Sequence, residues 1–139
     1  MFDEITPVKN WGDFLSMSFV SACDRGTNRC YTLRLKAKWG LNNGEQNIVL
    51  GAGDLDAYRT MLRSLIQGDD GECAIQDLDS PSKITIRKRP RGDMEILGSI
   101  IRDNRGYESS KESIMSYKFE IKHDGILDIL NLLTYLRNQ

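Results

Sequence analysis

Apolar and polar residues alternate along several stretches of this chain, as they do in β-strands that have one buried face. The clearest stretch is YTLRLKAKW at 31–39, in which the odd-numbered residues are apolar or aromatic and the even-numbered ones are Thr, Arg, Lys and Lys. FLSMSFVSA at 14–22 alternates similarly, and a short apolar run at 47–50 follows the turn-forming residues 42–44. Because successive side chains of a strand point to opposite faces, these stretches predict antiparallel strands that cover a core on one side.

Two other stretches have the spacing of amphipathic helices. Apolar residues recur at intervals of three and four within 55–66 and again within 126–136. Asp54 and Asp124 precede these stripes and are the predicted N-caps, and Gly68 follows the first stripe at the C′ position. The first stripe contains Leu55, Tyr58, Met61, Leu62, Leu65 and Ile66 and leaves Arg59 and Arg63 outside it.

The order of these elements predicts a fold with two similar halves. Further strands are expected at 73–78, 83–88, 94–101 and 114–122, with an extra short strand near 2–6 and a long polar hairpin loop at 102–113. We therefore predict one α+β domain over residues 1–139. It would consist of two antiparallel β-meander halves, about 1–68 and 69–139, each ending in an amphipathic α-helix.

Composition narrows the class of protein. The chain has 139 residues, of which 40% are hydrophobic and 28% charged, as in globular domains. No apolar run approaches the length of about 20 residues that spans a membrane, and the N-terminus has neither a basic start nor an apolar stretch. We therefore expect a cytoplasmic protein with no membrane partner. Cys23, Cys30 and Cys73 are expected to be reduced structural thiols, and the pairing of Cys23 with Cys30 on oxidation stays open.

The sequence contains little that could carry catalysis. His123 is the single histidine, beside Asp124, and no G-x-S-x-G, P-loop or H-E-x-x-H motif is present. A zinc site would need about four Cys or His ligands, and the Asp69-Asp70 loop lacks the ligand spacing of a calcium loop. We expect a protein that is not an enzyme and has no cofactor or metal.

Charge is distributed unevenly although the formal net charge is only -1. An acidic stretch within 67–81 has no Lys or Arg, and a basic stretch within 83–91 has no acid. The simplest interpretation is that the two stretches are solvated and pair with each other, which contributes little stability. The acidic stretch comprises Asp69, Asp70, Glu72, Asp77 and Asp79, and the basic stretch comprises Lys83, Arg87, Lys88, Arg89 and Arg91.

Each charged stretch also suggests a binding function. The acidic residues could dock on a basic protein such as a nuclease, where complementary charge speeds association. The basic residues could contact the phosphates of single-stranded nucleic acid. Such binders usually combine cations with aromatic residues, and no aromatic residue lies between Tyr58 and Tyr107, which weakens the second hypothesis.

The arrangement of elements resembles the small cytoplasmic immunity proteins encoded beside bacterial contact-dependent inhibition toxins and related polymorphic toxins. The resemblance rests on the hairpin FLSMSFVSACDRGTNRCYTLRLKAKW, the helix GAGDLDAYRTMLRSLI, the strands KITIR and MEILGSII, and the terminal YKFEIKHDGILDILNLLTYL. The layout is also similar to Whirly-type folds, whose plant members bind single-stranded DNA. The resemblance implies a non-catalytic inhibitor of one cognate toxin domain, often a nuclease. The acidic stretch would then face the toxin, and single-stranded nucleic-acid binding by the basic stretch is the alternative.

Overall fold

The computed structural model describes residues 4–102 and 113–139 and consists of two four-stranded antiparallel sheets, each followed by a helix. The first sheet has the order β1-β2-β3-β4 and the second the order β5-β6-β7-β8. This confirms the predicted α+β class and the repeated order of strands and helix. The elements are β1 Ile5–Asn10, β2 Asp13–Arg25, β3 Asn28–Trp39, β4 Asn42–Gly51, α1 Ala52–Ile66, β5 Glu72–Gln76, β6 Lys83–Lys88, β7 Met94–Arg102, β8 Ser113–Ile121 and α2 His123–Arg137.

The strands of the first sheet are longer than predicted, so the turns lie elsewhere. Trp39 pairs with Asn42, and the chain reverses over Gly40 and Leu41 rather than over 42–44. Gly40 has a φ of 65°, which a glycine adopts without steric cost. In the second sheet, the predicted loop at 102–113 begins and ends on paired strand residues, and 103–112 lie outside the described residues.

Both predicted N-caps are wrong by two or more residues. α1 begins at Ala52 after Gly51, and α2 begins at His123 after Lys122. The preceding strands run almost directly into the helices, so Asp54 and Asp124 lie within the first turns. There their carboxylates still interact favourably with the helix dipole.

The two helices pack on each other as well as on the sheets, which explains a second departure from prediction. Arg59 was expected outside the apolar stripe of α1 but is buried. Its Nε donates to Thr134 Oγ1 of α2 at 3.2 Å, and its Nη1 donates to Asp56 Oδ1 at 3.1 Å. Met61, which was expected in the stripe, is 38% exposed. The long stem of Arg59 packs while its charged end finds partners.

One continuous core joins the inner faces of both sheets with the buried sides of the helices. The outer face of the first sheet stays uncovered along β3, where Arg34, Lys36 and Lys38 are half-buried or exposed. Among the described residues, neither helix has the length and apolar character that crossing a membrane requires.

Candidate binding surface

Two hairpin turns lie side by side at one end of the first sheet. The β1–β2 turn consists of Trp11 and Gly12, and the β3–β4 turn consists of Gly40 and Leu41. Asp13 Oδ1 accepts a hydrogen bond from the Gly40 backbone N–H at 3.1 Å, which ties the turns together. We call the residues at this end, Trp11, Trp39, Leu41, Lys9 and Lys38, the hairpin-tip surface.

The apolar residues of the hairpin-tip surface are unusually exposed. Trp11 is 100% exposed, Leu41 is 102% exposed and Trp39 is 42% exposed. An exposed apolar side chain is ordinary when it stands alone. Two tryptophans and a leucine at one end of a sheet form a feature of the kind that marks interaction sites.

The backbone at Trp11 is also strained. Trp11 has a φ of 54° and Gly12 a φ of 90°. Two-residue hairpin turns with positive φ at both positions favour Asn-Gly or Asp-Gly, and a bulky residue in this conformation is a genuine outlier. Such strain costs about 1–3 kcal/mol and is found where the surrounding structure or a function requires it.

Two lysines lie near the Trp11–Gly12 turn, on the face of the first sheet opposite to Trp39. Lys9 pairs with Phe14 across β1 and β2, and Phe14 pairs with Lys38 across β2 and β3. Because directly opposed residues share a face, these three side chains form a row on the outer face, and both lysines are exposed. Lys36 and Arg34 continue this charge along β3, where they pair with Glu4 at 3.8 Å and Glu45 at 3.2 Å respectively.

The predicted acidic stretch divides between the two ends of β5. Asp69 and Asp70 are exposed after α1, and Glu72 begins β5 opposite Arg87. Asp70 Oδ1 lies 3.6 Å from Lys88 Nζ. These three acids therefore lie together, but they do not form one surface with the acids that follow β5.

Asp77 and Asp79 have structural partners after the other end of β5. Asp77 is 4% exposed, and its carboxylate accepts hydrogen bonds from the Val49 N–H at 2.8 Å and from Ser80 Oγ at 2.5 Å. This burial removes Asp77 from the surface that a partner could contact. Asp79 is exposed and accepts two hydrogen bonds from Arg25, which hold the pKa of its carboxyl below the usual range.

The predicted basic stretch is largely engaged by carboxylates. Arg87 Nε donates to Glu95 Oε1 at 2.7 Å, Lys88 lies beside Asp70, and Arg89 pairs with Asp93. Glu95 lies on β7, outside both charged stretches, with a side chain only 3% exposed. The hydrogen bond from Arg87 holds the pKa of the Glu95 carboxyl below its usual range. The other two members, Lys83 and Arg91, are exposed.

A cavity of about 400 Å³ adjoins the hairpin-tip surface beside Trp39. Leu97 of the second sheet contributes apolar lining, and Lys83 and Lys118 add two amino groups. The cavity thus combines a half-exposed aromatic ring with cations, an arrangement able to hold a planar or anionic group.

The described residues contain no group of three or more His, Cys, Asp or Glu side chains placed to hold a metal ion. His123 is exposed at the first residue of α2. Neither the charge pattern nor the periodicity predicts the hairpin-tip surface, although the sequence contains a signal for it. In both NWGD and WGLN a large apolar residue adjoins a glycine where the strand pattern ends.

No family model and no curated protein matches this chain significantly. A solved structure, described as MRP1/MRP2 of Trypanosoma brucei, is similar over 96% of this chain and 81% of that chain, with 12% sequence identity and a TM-score of 0.48. A similarity of this size assigns neither a family nor a function to the chain.

Proposed function

We propose that this chain is a non-catalytic immunity protein that binds and neutralises a cognate toxin domain, and that the hairpin-tip surface is its contact. The proposal is carried by Trp11, which is fully exposed and has a positive φ. Exposure and strain both raise the free energy of the unbound protein. Seating the indole in an apolar pocket of a partner would recover part of that free energy.

The composition of the hairpin-tip surface suggests the chemistry of the partner. Tryptophan is enriched among the interface residues whose truncation costs about 2 kcal/mol or more. Lys9 and Lys38 lie on the outer face beside the Trp11–Gly12 turn, on the side of the sheet opposite to Trp39, so a complementary partner surface has an apolar pocket for Trp11 with an acidic rim on that side. If the toxin is a nuclease with a basic groove, Asp69, Asp70 and Glu72 complement it better than the hairpin-tip surface does. A toxin contact through these acids is therefore the competing proposal within the same function.

The test is to express any toxin-like domain that a neighbouring reading frame encodes and to titrate the chain with it by calorimetry. Trp11→Asn removes the indole that would contact the toxin and introduces a residue that favours the positive φ of this turn. We expect it to weaken binding about 30-fold or more. Leu127→Gln is the matched control, because Leu127 is a 41% exposed apolar residue on α2, and it should leave affinity unchanged.

Three outcomes would contradict parts of this proposal. Undiminished binding by Trp11→Asn would remove the hairpin-tip surface as the contact. If reversal of Asp69, Asp70 and Glu72 alone weakened binding, the toxin would dock on the acidic residues instead. Absence of any binding between the unaltered chain and the toxin domain would reject the immunity function.

Single-stranded nucleic-acid binding is the second candidate, and the cavity beside Trp39 favours it. Lys83 belongs to the predicted basic stretch and lines that cavity with Lys118. A base could stack on the indole while the Lys83 amino group contacts a phosphate, which is how sequence-tolerant single-strand binders work. Lys118 and the basic residues at 87–89 contribute less, because carboxylates already engage them.

A gel-shift titration with a single-stranded oligonucleotide at several salt concentrations separates this candidate from the first. Binding should weaken with salt, with a log–log slope of about −0.7 per phosphate contacted. Lys83→Glu should abolish retention, whereas Arg63→Glu, an equal charge reversal at an exposed position of α1 outside the basic stretch, serves as the matched control. No retention of the unaltered chain at low salt would reject this candidate.

A further inference from the structure

Two cysteines face each other across the β2–β3 hairpin. Cys23 of β2 is the direct register partner of Cys30 of β3, and both are free thiols. Directly opposed residues of an antiparallel pair share a face, with Cβ atoms about 4.5–5.5 Å apart. The pair lies at the opposite end of the first sheet from the hairpin-tip surface, because β2 starts at Asp13 and ends at Arg25.

The geometry of the hairpin determines how well a disulfide fits. Arg25 and Asn28 close the two-residue turn, so alternation along the ladder puts Cys23 and Cys30 at a hydrogen-bonded position with Cα atoms about 5.5 Å apart. A disulfide accepts that Cα separation but prefers Cβ atoms about 3.8 Å apart. The strands must move slightly inward, and the resulting bond is strained and easily reduced.

The two thiols differ in accessibility in a way that suits stepwise oxidation. Cys23 is exposed, whereas Cys30 is buried. Cys30 nevertheless lines a cavity of about 540 Å³, together with Gly51 and Leu78. An oxidant therefore meets the Cys23 sulfur first, and the Cys30 sulfur lies beside it to complete the reaction.

We infer that Cys23 and Cys30 form a reversible oxidation site, which a small disulfide such as glutathione disulfide converts to an intramolecular disulfide. The Cys23 thiolate attacks one sulfur of the reagent, which gives a mixed disulfide and releases one glutathione thiolate. Cys30 then loses its proton and attacks the Cys23 sulfur, which releases the second glutathione. Two protein thiols and one glutathione disulfide become one protein disulfide and two glutathione thiols.

Cys73 provides an internal control for this inference. It is buried, its Sγ donates to the Tyr58 carbonyl oxygen at 3.7 Å, and burial raises the pKa of its thiol to about 12. Because the thiolate is the reactive form, Cys73 should stay reduced under conditions that oxidise the other two.

The test is to incubate the purified chain with glutathione disulfide, alkylate the remaining thiols after denaturation, and map the peptides by mass spectrometry. We expect a linked Cys23–Cys30 peptide that is lighter by two hydrogen atoms, with Cys73 alkylated. Excess reduced glutathione should restore both thiols. Cys30→Ser should stop at the mixed disulfide on Cys23, and Cys23→Ser should leave Cys30 reduced.

Other products would overturn the inference. A stable glutathione adduct on Cys23 of the unaltered chain, with Cys30 free, would show that the second step does not occur. Chains linked through Cys23 to another Cys23 would show that the exposed thiol reacts between molecules. The Cys23→Ser variant changes only an exposed position. Its result therefore does not depend on how well the core tolerates Cys30→Ser.

Discussion

At the scale of single residues, Trp11 and Glu95 are the positions where local physical chemistry and the observed structure conflict most. Trp11 combines full exposure with a positive φ, and neither helps the free protein. Glu95 is a nearly buried carboxylate, and it is tolerated because Arg87, Arg89 and Lys118 lie within 4.0 Å of its oxygens. At both residues the direction in which a substitution changes the free energy of unfolding can be predicted.

Trp11→Asn should stabilise the free chain. Asn adopts positive φ more readily than a bulky aromatic residue, and the fully exposed indole has little packing to lose. We expect the free energy of unfolding, measured with urea, to rise by about 1 kcal/mol. A fall in stability would mean that the indole contributes to the fold, and the case for Trp11 as a binding residue would then fail.

Glu95→Gln should lower stability and change its dependence on pH. The pKa of Glu95 is lower in the folded chain than in the unfolded one, so its contribution is present above the ordinary pKa of a glutamate and is lost as pH falls through the folded pKa. The substitution should cost about 1–3 kcal/mol near pH 7 and flatten the decline in acid.

Glu120→Gln is the matched control for that measurement. Glu120 is the register partner of Glu95 on the same face, but its side chain is 60% exposed. An exposed ion pair contributes about 0–1 kcal/mol, so urea unfolding should hardly change. Equal losses from the two substitutions would contradict the role assigned to burial at Glu95.

At the scale of elements, α2 packs close to β1 at a position where the helix has a glycine. Gly125 lies in the first turns of α2, and a Cβ there would press directly on the Pro7 carbonyl oxygen and on Ile121. Gly53, near the start of α1, has no atom within 4 Å of the same added carbon. Two glycines at comparable helix positions therefore have different functions.

The same substitution at these glycines should have opposite effects. Gly125→Ala should lower the free energy of unfolding by about 1–3 kcal/mol, because overpacking against backbone is difficult to relieve. Gly53→Ala should raise it by up to about 1 kcal/mol through helix propensity. Thermal or urea unfolding measures both, and stabilisation by Gly125→Ala would show that α2 can move away from β1.

At the scale of the whole molecule, the two sheets are joined by the segment after β5 as well as by the core. The Asp77 carboxylate accepts from the Val49 N–H of β4, and the Leu78 N–H donates to the Val49 carbonyl at 3.0 Å. Asp77, which the charge pattern alone places on a partner surface, thus docks the second half on the first. These hydrogen bonds compensate the Asp77 carboxylate for the loss of water on burial.

Asp77→Ala should weaken the whole fold rather than a binding surface. It leaves the Val49 N–H buried without its acceptor, which costs about 2 kcal/mol. Asp79→Ala, which removes only the exposed pair with Arg25, should cost much less. Circular dichroism and tryptophan fluorescence should report one shifted urea transition, and equal effects of the two substitutions would contradict this role for Asp77.

The periodic segments were the predictable part of this protein. Residues 31–39 alternate because one face of β3 covers the core, and 126–136 repeat at helical spacing because α2 buries one side. The predicted bounds of β6 agree with the structure at both ends. Turn positions and helix caps were less predictable, because strand pairing moved the reversal between β3 and β4 to Gly40–Leu41 and both helices begin earlier than predicted.

The sequence by itself determined the class of fold, since hydrophobic periodicity is a local property that each segment carries with it. Only the tertiary structure decided which charges are free, because ion pairs and burial depend on residues far apart in the chain. Asp77 became buried against β4, Arg87 of β6 met Glu95, and two hairpin turns brought Trp11 and Leu41 to one end. The sequence predicted a binding surface made of consecutive like charges. The structure instead suggests one made of exposed apolar residues and lysines that come from separate hairpins.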